Sequence, residues 1–204
     1  MCGRVLLESE FKEILIRYNI YGAGEREFKR GEGFPGDNIP AIFNDDGLQV
    51  DLFNWGFILN GKRIINARAE TVLEKPFFKR HFIFNRCIVP VNAFFEWRNE
   101  GNKKIKYKIS LKDDKIMSLA GMYGVFKDKD GSVKKCITVL TTEPNSEVKD
   151  IHNRMPVILV REKEQLYLRK EFNIEILDLL KPIDEGRLVI ENVDKNEYEN
   201  ISFF

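Results

Sequence analysis

The sequence predicts an α+β domain built on a mainly antiparallel, barrel-like β-sheet with flanking helices. Three observations carry this. Residues 86–141 are a succession of apolar runs of strand length separated by charged turns. Helical periodicity is confined to short stretches near the start and in the last third of the chain. The 204 residues, 43% hydrophobic and 32% charged, suffice for one soluble domain (1–204) with a sizeable core, and no repeat or linker divides them.

In chain order, Cys2–Leu7 reads as a short strand. Ser9 is placed to cap a helix to about Tyr18, with Phe11, Ile14, Leu15 and Tyr18 on one face. Residues 22–37, with five glycines and Pro35, read as a long loop. Ala41–Asn44 and Leu48–Asn54 flank Asp46-Gly47, a hairpin turn. Strands are expected over Arg86–Val91, Ala93–Arg98, Ile105–Leu111, Ile116–Phe126 and Cys136–Thr141. Pro144 would open a helix running toward His152, and Met155–Val160 would form a further strand. Residues 161–181 carry helical patterns ended by Pro182, and Arg187–Val193 reads as a last strand.

Composition narrows the function classes. No apolar run reaches membrane-spanning length and no signal-peptide pattern is present, so a cytoplasmic protein is expected, at the nucleoid if the source is bacterial; a monomer is assumed. Cys2, Cys87 and Cys136 are an odd set without a CxxC pair, which argues for a reducing compartment; Cys87 and Cys136 read as core. The two histidines lie far apart, so a zinc site is not expected, and the proton-transfer and nucleophilic side chains described below need no cofactor. The net charge of +1 hides an asymmetry: residues 61–112 carry +9 and the remainder −8. Such a layout can present a basic face to a polyanion, or merely spread solvated charges.

Four short stretches could carry chemistry. In Met1-Cys2-Gly3-Arg4, loss of Met1 would leave Cys2 with an α-amine and a thiol on adjacent carbons. An α-amine titrates near ~7.7–8, so a useful fraction is free base at neutral pH. Such a 1,2-aminothiol condenses with an aldehyde to an imine that the thiol closes to a thiazolidine. In Asn66-Ala67-Arg68-Ala69-Glu70-Thr71, strand alternation would put Asn66, Arg68 and Glu70 on one polar face. Arg68 suits a phosphate and Asn66 a reacting group or the terminal amine; an exposed strand face fits the pattern equally. In Arg86–Arg98, Glu96 stands in an apolar strand, where desolvation raises its pKa toward neutrality and fits it for proton transfer, unless it pairs with a cation or faces water. In Ile151–Pro156, His152 titrates in the range of a general acid or base. His81 has no evident partner in sequence and reads as surface.

Together these stretches resemble the SOS response-associated peptidase (SRAP) family of abasic-site sensors. The resemblance spans nearly the whole chain: the MCGR start, Pro35-Gly36, Trp55-Gly56, NARAET, RC-x-VP…F-x-EW and H-x-R-x-P, in that order. It implies an SRAP-like fold and covalent capture of abasic sites in single-stranded DNA after loss of Met1. In that scheme Cys2 forms a Schiff base and then a thiazolidine, protecting the lesion during the DNA damage response. Glu96 moves protons, His152 assists ring opening and reversal, and Asn66 positions Cys2. Arg4, Arg68 and Arg154 are expected on the DNA backbone, with Trp55, Pro35 and Lys75 completing the DNA surface. The resemblance also implies lyase-like chemistry and autoproteolytic, peptidase-like removal of Met1, for which an aminopeptidase is the alternative. It departs after Trp55-Gly56, where the family often has a proline and another tryptophan in a longer loop and this chain has Phe57-Ile58-Leu59-Asn60-Gly61. Two other readings stay open: an N-terminal-nucleophile amidohydrolase, in which the thiol attacks an amide, and a non-covalent single-stranded DNA-binding module.

Overall fold

The structure, a computed structural model, describes residues 2–127 and 131–194. In chain order the elements are β1 (Val5–Leu7), α1 (Phe11–Arg17), β2 (Gly31–Gly33), β3 (Asn38–Asn44), β4 (Leu48–Trp55), β5 (Phe57–Leu59), β6 (Lys62–Ile64), β7 (Asn66–Arg68), α2 (Pro76–Phe84), β8 (Arg86–Val91), β9 (Ala93–Glu100), β10 (Lys103–Leu111), β11 (Met117–Lys127), β12 (Val133–Thr142), α3 (Ser146–Lys149), β13 (Met155–Pro156), β14 (Ile158–Leu159), α4 (Arg161–Tyr167) and β15 (Leu188–Asn192). Short 3₁₀ turns lie at Ala69–Thr71 and Ile174–Leu180.

Strands β12, β4, β3, β8 and β11 close on themselves as a five-stranded barrel. An odd ring cannot alternate direction all the way round, so one neighbouring pair must run parallel. That pair is β4–β12; the other four pairings are antiparallel. Side chains alternate across each strand. Ile39, Ala41, Cys87, Val89, Leu119, Ile137 and Val139 therefore point into the barrel, while Ile42, Ile88, Ala120, Met122, Cys136 and Leu140 pack outward beneath the helices. The interior is tight: a Cβ on Gly121 would lie 3.1 Å from the Thr138 carbonyl and 3.2 Å from Cys87 Sγ. Cys87 and Cys136 are both buried, as core residues should be.

A second antiparallel sheet, ordered β15-β10-β9-β1-β2, packs Val5, Leu7, Phe94 and Ile109 against the barrel core. It leaves the barrel at Asn92, between β8 and β9. The Asn92 amide accepts from the backbone of Glu8 and Ser9 and donates to Ser9 Oγ and the Lys115 carbonyl. That use of Ser9 corrects its expected role: Glu10 is the N-cap of α1, and its backbone N–H donates to Glu13 at 2.7 Å.

Other boundaries differ for physical reasons. The 22–37 loop contains β2, which pairs with β1 even though two of its three residues are glycine. A Cβ on Gly33 would meet Leu7 and Val5 at 3.1 Å, so glycine lets the two backbones approach. Residues 76–84, with no predicted element, form α2 with Pro76 at its first turn. The helix expected from Pro144 is the single turn α3, capped by Asn145, whose side chain accepts from Val148 N–H. The expected strand 155–160 is split into β13 and β14, which pair with different neighbours, β12 and β11. Asn60 and Gly61, both left-handed, turn the β5–β6 hairpin, so the segment after Trp55-Gly56 is a compact ribbon.

Candidate active site at the amino terminus

The break between β4 and β7 builds the site. β4 pairs with β12 only to Trp55, and the hairpin of residues 57–64 leaves the barrel there. The chain rejoins the same edge of β12 as β7, with Asn66 opposite Val139 and Arg68 opposite Thr141. Gly56 makes the exit: its φ is 118°, and a Cβ there would sit 2.2 Å from Arg63 Cγ. Asn66 is thereby set at the rim, where its Nδ2 donates to the Cys2 carbonyl at 2.9 Å. Asn66 Oδ1 is buried and has no hydrogen-bond partner among the described residues.

Cys2 precedes β1, which lies antiparallel to β9 with Val5 opposite Phe94. Phe95 N–H donates to the Arg4 carbonyl at 2.9 Å, so the pairing continues toward the amino terminus and brings residues 2–3 alongside Glu96. Cys2 is fully buried. Burial and the nearby Glu96 carboxylate push its thiol pKa up, partly countered by the positive chain terminus and a hydrogen bond from the Arg4 backbone, so the sulfur is a neutral thiol at physiological pH. Glu96 is 3% exposed, and burial raises its pKa against the opposing pull of the chain terminus and His152.

His152 stands on the turn between α3 and β13, and its Nε2 lies 3.9 Å from Glu96 Oε2. Arg154 N–H donates to His152 Nδ1 at 3.0 Å. The Arg154 carbonyl lies 3.1 Å from the same nitrogen, so Nδ1 meets both backbone groups of residue 154 while Nε2 faces Glu96. The four residues expected from sequence to be catalytic thus converge: Cys2, Asn66, Glu96 and His152 come from four separate elements to one end of the barrel. A thiol, a buried carboxyl with a raised pKa, an imidazole and a fixed amide are together suited to proton transfer around residue 2.

Comparison with known proteins gives the family. Residues 1–197 match the SOS response associated peptidase (SRAP) family. The chain belongs to that family. It is 38% identical over 183 residues to abasic site processing protein YoaM of Bacillus subtilis, covering 82% of this chain and 79% of that one. It is 37% identical over 201 residues to abasic site processing protein YoqW of the same organism, covering 90% and 88%. Among solved structures, a protein from Bacteroides thetaiotaomicron superposes with a TM-score of 0.82 at 31% identity over 97% of this chain and 94% of that one.

The SRAP residues expected on DNA are placed unevenly. Trp55 is a correction: it is fully buried, its Nε1 donates to the Ile65 carbonyl at 3.2 Å, and it offers no face to a base. Pro35 is exposed in the turn Phe34–Asp37, closed by Asp37 N–H to the Phe34 carbonyl at 2.9 Å. Arg68 and Lys75 are exposed. Arg4 binds Glu32 at 2.8 Å and stacks 4.1 Å from the Phe34 ring centroid. Arg154 donates to both Glu70 oxygens, at 2.7 and 2.8 Å, and to the Thr141 carbonyl.

The +9 segment is not one bare basic face. Lys106 pairs with Glu32, Lys108 with Glu191 and Arg98 with Glu100. Arg86 is buried and donates to the carbonyls of Phe82, Ile83, Tyr167 and Arg169, closing the ends of α2 and α4. His81 is a correction as well. It is half-buried among Phe57, Phe77 and Phe126, bonds the Tyr123 carbonyl at 3.1 Å, and burial lowers its pKa.

Glu70 also departs from expectation. β7 ends at Arg68 and a 3₁₀ turn follows, so Glu70 leaves the polar row and swings onto Arg154. The partnerships Glu70–Arg154 and Glu32–Arg4 join distant parts of the chain and leave no local sequence signal. Among the described residues no group of three or more His, Cys, Asp or Glu side chains is arranged to hold a metal ion. No described helix is long and apolar enough to cross a membrane.

Proposed function

We propose that this protein captures abasic sites in single-stranded DNA by forming a thiazolidine with Cys2 after Met1 is removed. The observation that carries the reading is the convergence on residue 2 of a hydrogen-bonding amide, a buried carboxyl with a raised pKa and an imidazole. The printed names of YoaM and YoqW, which describe abasic site processing, point the same way. Met1 itself lies outside the described residues, and its removal enters as part of the proposal.

The chemistry balances without another reactant. The α-amine of Cys2 adds to C1′ of the ring-opened sugar, and the carbinolamine loses water to give a Schiff base. The Cys2 sulfur then bonds the same carbon, and its proton passes to nitrogen. One water leaves overall. The raised thiol pKa fits an order in which the amine attacks first, since the sulfur is not a thiolate in the free protein. Glu96, whose pKa is raised by burial, gives a proton to the departing hydroxyl, takes one back from the resulting iminium nitrogen, and relays the thiol proton to that nitrogen as sulfur adds. His152 Nε2, facing the same carboxyl, serves sugar ring opening and reversal. Asn66 holds the Cys2 carbonyl with Nδ2 and leaves Oδ1 to accept from the new α-amine. Arg4 and Arg68, with Pro35 and Lys75, are assigned to the DNA strand.

The test is to mix the protein with an oligonucleotide carrying one abasic site and run a denaturing gel. A shifted band is expected with wild type, none with Cys2→Ala, and none on intact DNA. Equal non-covalent binding to intact and abasic strands, with no band, would instead support a plain single-stranded DNA-binding module. Glutaminase activity without a band would support the amidohydrolase.

A further inference from the structure

We infer that Glu70 is a positioning residue of this site, acting through the Arg154 guanidinium to fix the turn that aims His152 at Glu96. His152 follows α3 directly, its N–H donating to the Val148 carbonyl at 3.0 Å, but residues 153–154 beyond it belong to no helix or strand. A relay braces that far side of the turn. Glu70 takes both terminal nitrogens of Arg154 in a two-pronged bond, at 2.7 and 2.8 Å. The same guanidinium donates to the Thr141 carbonyl at 2.7 Å, tying the turn to β12. The backbone of that arginine meets His152 Nδ1, its N–H at 3.0 Å and its carbonyl at 3.1 Å, and Nε2 faces Glu96.

Energy alone does not explain the pair. Glu70 is 40% exposed, and partly exposed ion pairs contribute about 0–1 kcal/mol to stability. What a two-pronged arginine–carboxylate bond supplies is direction, because both planar groups must lie in register. The segment Asn66–Glu70 then holds the site from both sides: Asn66 grips Cys2, and Glu70 grips the residue that orients His152. The relay also occupies most of the donors of Arg154, which makes that arginine a brace for the histidine turn in the free protein.

The inference rests on the proposed reaction for what His152 does, but not for how His152 is held, so the two can fail separately. Only two histidines are present, so imidazole ¹⁵N spectra of the whole protein above pH 8 can be assigned with one His81→Ala control. Wild type should show one dominant His152 tautomer, fixed by the Arg154 backbone. Glu70→Gln should lose that preference and show mixed tautomers. In single-turnover crosslinking, Glu70→Gln should lower the maximal rate about tenfold, the scale of a small misplacement of a reacting group. Its half-saturating DNA concentration should not rise, since a negative charge has been removed beside the DNA. Arg154→Lys keeps the charge but loses the fork, and should reproduce the spectral change. The wild-type tautomer undisturbed in both variants, or a maximal rate within twofold of wild type in Glu70→Gln, overturns the inference. If wild type itself forms no adduct, the proposed function fails while the spectra still decide how His152 is held.

Discussion

Replacing Asn66 with alanine removes two things from the site. The first is the Nδ2 donor that holds the Cys2 carbonyl at 2.9 Å. The second is Oδ1, a buried acceptor with no partner among the described residues, placed to receive the α-amine once it is free. Each neutral hydrogen bond has a net value of about 0.5–1.5 kcal/mol. Losing both costs about 1–3 kcal/mol of positioning, so the crosslinking rate should fall roughly 5- to 150-fold. Asn66 is only half-buried at the barrel rim, so stability should change little, with a fall in Tm of about 2–4 °C per kcal/mol lost. Asn66→Asp separates the two roles. It keeps an acceptor for the amine but sets a carboxylate oxygen against the Cys2 carbonyl, and it should be at least as slow as Asn66→Ala. The assay is a single-turnover time course with abasic single-stranded DNA, read on denaturing gels, with a thermal melt of the same preparation. A folded Asn66→Ala whose rate stays within twofold of wild type would refute the positioning role.

Three further outcomes follow from the same geometry. Glu96→Gln should slow crosslinking by at least about a hundredfold, the lower end of general acid–base contributions. Because burial raises the Glu96 pKa above its usual 4.5, the folded state binds the proton more tightly than the unfolded one; stability therefore falls as pH rises from 4.5 through the raised value and stays reduced above it. Glu96→Gln should thus melt higher than wild type at neutral pH, with the difference closing toward pH 4.5, as a series of melts will show. Trp55→Ala should cost about 3–5 kcal/mol in denaturant unfolding, as expected for a core aromatic, and a variant that stays fully stable yet loses DNA affinity would restore Trp55 to the DNA surface. Arg68→Ala should weaken binding to intact single-stranded DNA and reduce the slope of log K against log salt by about 0.7, one phosphate contact, whereas an unchanged slope removes Arg68 from the DNA path.

Much of the fold is legible in the sequence because the barrel strands carry their own signals. β8, β9, β11 and β12 are long apolar runs, and Asp46-Gly47 announces the β3–β4 hairpin with left-handed backbone at both residues. What the sequence hides depends on partners distant in the chain. Pro76–Phe84 is rich in aromatics that read poorly as helix, and α2 forms because Phe82 reaches the core and Arg86 closes its last turn. Ser9 looks like a cap until Asn92, 83 residues away, claims its hydroxyl. The catalytic set is legible because each residue sits in a distinctive local stretch. The residues that hold it are not, since neither Glu70 nor Glu32 betrays in sequence which arginine it meets. Trp55 is expected on DNA only through the family resemblance, whereas the turn at Gly56 carries the chain outward and leaves the ring inside.

The most direct measurement of the central claim is the intact mass and peptide map of the adduct with abasic single-stranded DNA. The expected product lacks Met1 and carries the sugar on the peptide beginning at Cys2, at a mass one water below the sum of protein and oligonucleotide, with no adduct from Cys2→Ala. An adduct mapped to a lysine, or a chain that retains Met1 and still crosslinks, would contradict the account.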